Sequence, residues 1–93
     1  MVRLNICEIL YVEAYGDYVK IYTVNTKHVV STTMKDMEEA LNPKLFSRIH
    51  RSYMVALDKI EKIIDNEVII KLDKLPISAS FKDQLMSLIK TFN

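Results

Sequence analysis

Residues 46–63, "FSRIHRSYMVALDKIEKI", decide the fold, because Arg48, His50 and Arg51 sit inside a run otherwise made of strand-forming side chains. One regular strand through this run would send Arg48, His50 and Ser52 to one face and Ile49, Arg51 and Tyr53 to the other. Charged and apolar groups would then share both faces, which a half-buried strand does not tolerate. A turn or strand end near 50–52 removes the conflict: Ile49 and Tyr53 pack, His50 holds the loop as a partly buried, hydrogen-bonded histidine, and Arg51 projects. No carboxylate adjoins these bases in the sequence, so their charge reads as unpaired.

On the C-terminal side, "YMVAL", "KIEKII" and "EVIIKL" are strand-like, with Asp65-Asn66 as a tight turn between the last two. "DKLPIS" gives a short strand in which Pro76 favours an edge or an end. "SFKDQLMSLIKTF" is an amphipathic helix with Phe81, Leu85, Leu88, Ile89 and Phe92 on one face, and Ser78 or Ser80 available as its cap. On the N-terminal side, "EILYVEA" and "YVKIYTV" flank Gly16-Asp17 as a hairpin, and "HVVS" follows as another short strand. "TTMKDMEEAL" changes the period: Met34, Met37 and Leu41 predict a core-facing helix over 34–41, capped by Thr33 and stopped by Pro43. The expectation is a mainly β chain with two short helices.

Ninety-three residues with one glycine, no low-complexity segment and no repeat predict a single domain over 1–93. The apolar runs are too short to span a bilayer, and "MVRLNICEILYV" lacks the pattern of a secretory signal, so the expected location is cytoplasmic, with no membrane partner. Cys7 stands alone, which excludes an internal disulfide and a thiolate cluster; it reads as a small core residue at a strand start.

Catalytic chemistry finds no assembled set. His50, Ser52 and Asp58 are close in sequence, yet no oxyanion-hole glycine accompanies them. Cys7, His28 and His50 lack zinc spacing, and one glycine cannot make a phosphate loop or a dinucleotide fingerprint. Neither enzymatic activity nor a cofactor or metal is expected. Binding chemistry fits better. The net charge is only +1, but the acids avoid three segments: between Asp17 and Asp36, from Ala40 to Leu57, and from Lys74 to Lys82. Brought together, these would form a positive face whose guanidinium groups suit phosphates and guanine edges.

These residues resemble the LytTR DNA-binding domains, the output modules of many bacterial response regulators. "ILYVEAYGDYVKIYT" resembles the family's opening strand pair, "FSRIHRSYMVALDKIEKI" its central motif and "LPISASFKDQL" its closing one, covering roughly residues 6 to 90. The resemblance implies an elongated, mainly β arrangement of small antiparallel sheets with short helices, binding duplex DNA from one side with loops entering successive major grooves. Carried across residue by residue, the family's contacts fall near Tyr18, at Arg51 and at Ser80, where this chain offers a hydroxyl in place of the common arginine or lysine. Ala56 likewise replaces the usual asparagine. On this reading Lys20, Arg48, Ser52 and Lys82 contact phosphates, a scaffold ion pair being the alternative for Arg48, and Arg51 supplies most of the specificity. Double-stranded DNA is the expected partner; a receiver domain elsewhere in a longer chain and a dimer on repeated DNA sites are compatible with it. The contrary reading is a protein-interaction module of the same fold, its basic face meeting an acidic partner.

Overall fold

In the computed structural model, which describes residues 4–89, the alternating apolar runs on both sides of the first helix join one five-stranded antiparallel sheet. It comprises β1 (Ile9–Tyr15), β2 (Tyr18–Thr23), β3 (Lys27–Val30), β4 (Phe46–His50) and β5 (Tyr53–Ala56), in the order β3-β2-β1-β5-β4. The helix α1 (Met34–Ala40) connects β3 to β4. A second, three-stranded sheet contains β6 (Lys62–Ile64), β7 (Glu67–Ile70) and β8 (Asp73–Pro76), and α2 (Ala79–Leu88) follows. With the three-stranded sheet and α2 packed against one face of the larger sheet, the extents are 44 × 26 × 22 Å, the elongated shape expected.

The larger sheet is apolar on both faces because it lies between two layers. On one face Val12, Val19, Ile21, Phe46, Met54 and Ala56 meet Met34 and Leu41 beneath α1. On the other, Tyr11, Ile49 and Val55 meet Val68, Ile70 and Leu75 of the second sheet and Leu85 of α2. Period-2 patterning puts successive side chains of one strand into different cores, so Met54 and Val55 are both fully buried.

Local chemistry explains the boundaries. The Thr33 hydroxyl accepts the Asp36 amide and caps α1, and Leu41 closes the helix through Met37 O. Asp65 and Asn66 adopt φ values of 50° and 63°, the left-handed pair that a two-residue hairpin turn requires. Gly16 (φ 61°) performs the same service in the β1–β2 hairpin. Pro76 ends β8, an edge strand where its missing N–H leaves no ladder gap.

Several expectations change. Cys7 is exposed rather than a core residue: Asn5 caps a 3₁₀ turn over Ile6–Glu8, and that turn swings the thiol outward before β1 begins. The strand expected through "EVIIKL" stops at Ile70, because the Glu61 carboxylate accepts the Lys71 amide and Lys71 takes a φ of 55°. Leu72 is consequently 96% exposed at the tip of this turn. "KIEKII" shortens to Lys62–Ile64 because Leu57–Lys59 forms a 3₁₀ turn. In α2, Leu85 and Ile89 face the core as expected, but Leu88 is exposed, since only a narrow side of this short helix packs against the sheets. Phe92 lies outside the described residues. No described helix is long and apolar enough to cross a membrane.

Candidate nucleic-acid interface

The strand end anticipated at 50–52 is present: β4 stops at His50, Arg51 and Ser52 form the turn, and β5 begins at Tyr53. A bulge accompanies it. Arg48 lies opposite Met54, but His50 lies opposite Tyr53, so two residues of β4 face one of β5. Ile49 keeps the ordinary alternation and reaches the second core at zero exposure, while the extra residue brings His50 to the same face beside Tyr53 and Arg51 leaves the sheet exposed.

The turn's backbone is unusually well held for a surface connection. The Ser52 amide donates to His50 Nδ1 at 3.0 Å, so the ring folds back and holds the turn through that nitrogen. Ser52 O accepts the Ala14 amide at 2.8 Å, joining the turn to β1 just before the Gly16-Asp17 hairpin. Ile49 O accepts the Ser78 amide at 2.9 Å, joining it to the start of α2. The segments from Ala40 to Leu57 and from Lys74 to Lys82 are therefore joined by a backbone hydrogen bond, while the segment between Asp17 and Asp36 lies one strand away, across β1.

Arg48 corrects the reading of three unpaired bases. Its Nη1 lies 2.8 Å from the Glu38 carboxylate of α1, its Nε donates to His50 O at 3.3 Å and its Nη2 donates to Arg51 O. Sequence adjacency gave no carboxylate because the partner comes from a helix packed beneath the strand. The 34–41 periodicity did carry a signal, since Glu38 is four residues from Met34 and three from Leu41, at the edge of the buried stripe. Arg51, by contrast, makes no ion pair among the described residues; the two present there are Arg48–Glu38 and Lys59–Asp58.

The other predicted residues occupy distinct settings. Tyr18 opens β2 and is 48% exposed, so it does not pack. Lys20 places Nζ 3.9 Å above the Tyr15 ring, a contact that orients its charge without neutralising it. Ser52 is half-buried, whereas Ser80 is exposed with its hydroxyl 3.4 Å from that of Ser78. Ser78 occupies the N-cap position of α2, although its hydroxyl caps nothing. Lys82 donates to the Asn66 side-chain oxygen at 2.7 Å. That acceptor is a neutral amide, and Lys82 makes no ion pair among the described residues. Asn66 and Tyr15 are thus partners that sequence reading assigned only to a turn and a strand.

Glu13 forms no ion pair with a basic side chain among the described residues. Instead it accepts the hydroxyls of Tyr22 at 2.9 Å and Tyr53 at 3.0 Å, while Tyr11 donates to Asp73 at 3.0 Å and stacks on Tyr22 with centroids 4.4 Å apart. Burial, and then the hydrogen bond to Glu13, raises the Tyr53 phenol and pushes Tyr22 up to about 12. Burial and Asp73 likewise raise Tyr11. Unfolded tyrosines lose their protons near pH 10, so between pH 10 and about 12 the unfolded chain binds fewer protons than the native one. Stability is therefore complete below pH 10 and falls as pH rises through that window. Urea midpoints measured alongside phenolate absorbance should decline together with a delayed titration of these tyrosines. A native chain whose tyrosines all titrate near 10 would contradict this network.

A family model described as the LytTr DNA-binding domain matches residues 1–90. The chain belongs to this family. The LytTr family is one of DNA-binding domains in transcription regulation. The chain is 37% identical over 49 residues to the CO-responsive transcriptional regulator RcoM of Rhodospirillum rubrum, a match covering 53% of this chain and 21% of RcoM. It is also 37% identical over 60 residues to an uncharacterized response regulatory protein of Vibrio cholerae, covering 60% of this chain and 23% of that protein. The chain thus spans less than a quarter of the length of these relatives. The LytTr DNA-binding domain of a Bacillus cereus protein assigned as a methyl-accepting/DNA response regulator superposes with a TM-score of 0.81 over 94% of this chain and 85% of that one. At 18% identity that likeness speaks for the fold.

Proposed function

We propose that this LytTr chain reads duplex DNA sequence-specifically, with its turns entering the major groove, as the output domain of a transcription regulator of the two-component response-regulator type. The observation that carries this reading is Arg51, exposed and without an ion pair among the described residues, at the tip of a turn in which His50 O and Arg51 O accept from Arg48, the Ser52 amide donates to His50 and Ser52 O accepts from Ala14. A guanidinium presented on a fixed backbone can make the bidentate contact to guanine O6 and N7 that is the commonest base-specific pairing. Tyr18 and Ser80 flank it from the neighbouring segments, and Lys20, Ser52 and Lys82 supply phosphate contacts that set register and orientation.

Residues 1–93 act as one DNA-binding unit in this account. A receiver domain elsewhere in the full-length protein would supply the signal, and two copies would occupy repeated half-sites. The location is cytoplasmic, where the DNA is.

Titration against mixed-sequence duplex at low and physiological salt tests the reading against an acidic protein partner. DNA binding should fall linearly in log K against log salt, and Lys82→Ala should reduce the slope by about one. An unchanged slope removes Lys82 from the interface. No measurable duplex binding even at low salt would favour the protein-interaction module.

A further inference from the structure

We infer that Glu38 and Arg48 form a positioning pair that sets the geometry of the Arg51 turn, rather than contributing a phosphate contact; this rests on the reading of Arg51 as the base-reading residue. The sequence alone leaves Arg48 open between a phosphate contact and a scaffold ion pair. Its surroundings argue for the pair. The Arg48 side chain retains 18% exposure, and the guanidinium edge that a phosphate would grip faces the Glu38 carboxylate at 2.8 Å. Nε and Nη2 each donate to a carbonyl of the turn, His50 O at 3.3 Å and Arg51 O, and Cζ lies 5.7 Å from the centroid of the Phe81 ring at the start of α2. Guanidinium has five N–H groups in a fixed fork, and here the fork spans a helix carboxylate and the backbone of the recognition turn.

The consequence is mechanical. The β4–β5 turn contains neither a proline to fix its φ nor a glycine to ease a left-handed conformation, so its conformation depends on what its carbonyls and amides meet. Arg48 satisfies two carbonyls from the α1 side of the sheet, and His50 satisfies the Ser52 amide. Glu38 fixes Arg48 through a charge-assisted bond and thereby transmits the seating of α1 to the base-reading residue. Phe81 extends the same anchor towards Ser80 and Lys82. With the pair intact, Arg51 enters the groove from an ordered backbone; without it, the turn must be ordered at the moment of binding, which lowers affinity for the cognate site alone.

Glu38→Gln and Arg48→Met separate the alternatives, with thermal unfolding recorded for each variant. The salt slope of Arg48→Met should stay close to that of the wild type, whereas removing a phosphate contact would reduce it by about one. The ratio of cognate to mixed-sequence affinity should fall about tenfold in either variant, with no further fall in the double variant. Without DNA, the Ser52 amide should exchange with solvent about tenfold faster in both variants than in wild type. Should Arg48→Met fail to fold, Glu38→Gln keeps the fork and tests the same coupling. Tighter binding of Glu38→Gln to every duplex at an unchanged ratio would mean that Arg48 is a phosphate contact restrained by Glu38, and would overturn the inference. So would unchanged amide exchange with an unchanged ratio. A wild-type protein that prefers no duplex overturns the base-reading assignment of Arg51 itself, a result distinct from a wild type whose preference survives in both variants.

Discussion

Arg51→Ala is expected to weaken binding to the cognate duplex by about 1–3 kcal/mol, with the loss of discrimination concentrated at one base pair. The size follows from the chemistry of the arginine–guanine pair. A guanine edge offers two acceptors in the geometry of a guanidinium fork, and alanine leaves both desolvated in the groove. The localisation follows from the turn: its backbone bonds to Arg48, His50 and Ala14 do not involve the Arg51 side chain, so its truncation leaves the neighbouring groups in place. Competition with every single-base variant of the cognate site provides the measurement. Equal weakening on all sequences would make Arg51 a phosphate contact and return the specificity to Tyr18, Ser80 or DNA shape.

Ile49→Ala should be the most damaging substitution for stability near the site, costing about 2–5 kcal/mol. Ile49 has no exposed surface, belongs to the core formed with Val55, Val68, Ile70 and Leu85, and lies within the bulge that releases Arg51 from the sheet. The cavity borders both sheets and α2, three elements that cannot all collapse into it without breaking the Ile49 O to Ser78 amide bond. Denaturant unfolding should show a lower midpoint at an unchanged slope, since the surface exposed on unfolding barely changes. A shift below about 1 kcal/mol would mean that the cores close around the truncated side chain and that the bulge is not pinned by it.

The secondary elements were largely legible because their signals are local. Thr33 and Asp36 lie within one helical turn, Asp65-Asn66 is a two-residue left-handed turn, and the conflict of faces at 46–55 could be resolved only by ending a strand. The resemblance to LytTR domains, spread over three ordered blocks, gave the architecture that the chain and its family share. What remained hidden depends on contacts distant in sequence. Glu38 reaches Arg48 only because α1 packs beneath β4, and Asn66 meets Lys82 across 16 residues. The Lys71-Leu72 turn contains none of the residues that usually mark one; it exists because Glu61 takes the Lys71 amide. Cys7 faces solvent for the same kind of reason, a cap from Asn5 that outweighs the thiol's ordinary preference for the core. At the site, the exposure of Arg51 and the role of His50 in holding the loop followed from pattern, whereas the bulge that makes both possible left no signature in composition.

Selection of bound duplexes from a random pool, followed by affinity measurement at physiological salt, tests the central claim most directly. The account predicts enrichment of one motif containing a guanine read by Arg51, bound at least about 10³-fold more tightly than mixed sequence. A pool that emerges unenriched, with affinity set by salt alone, would contradict it.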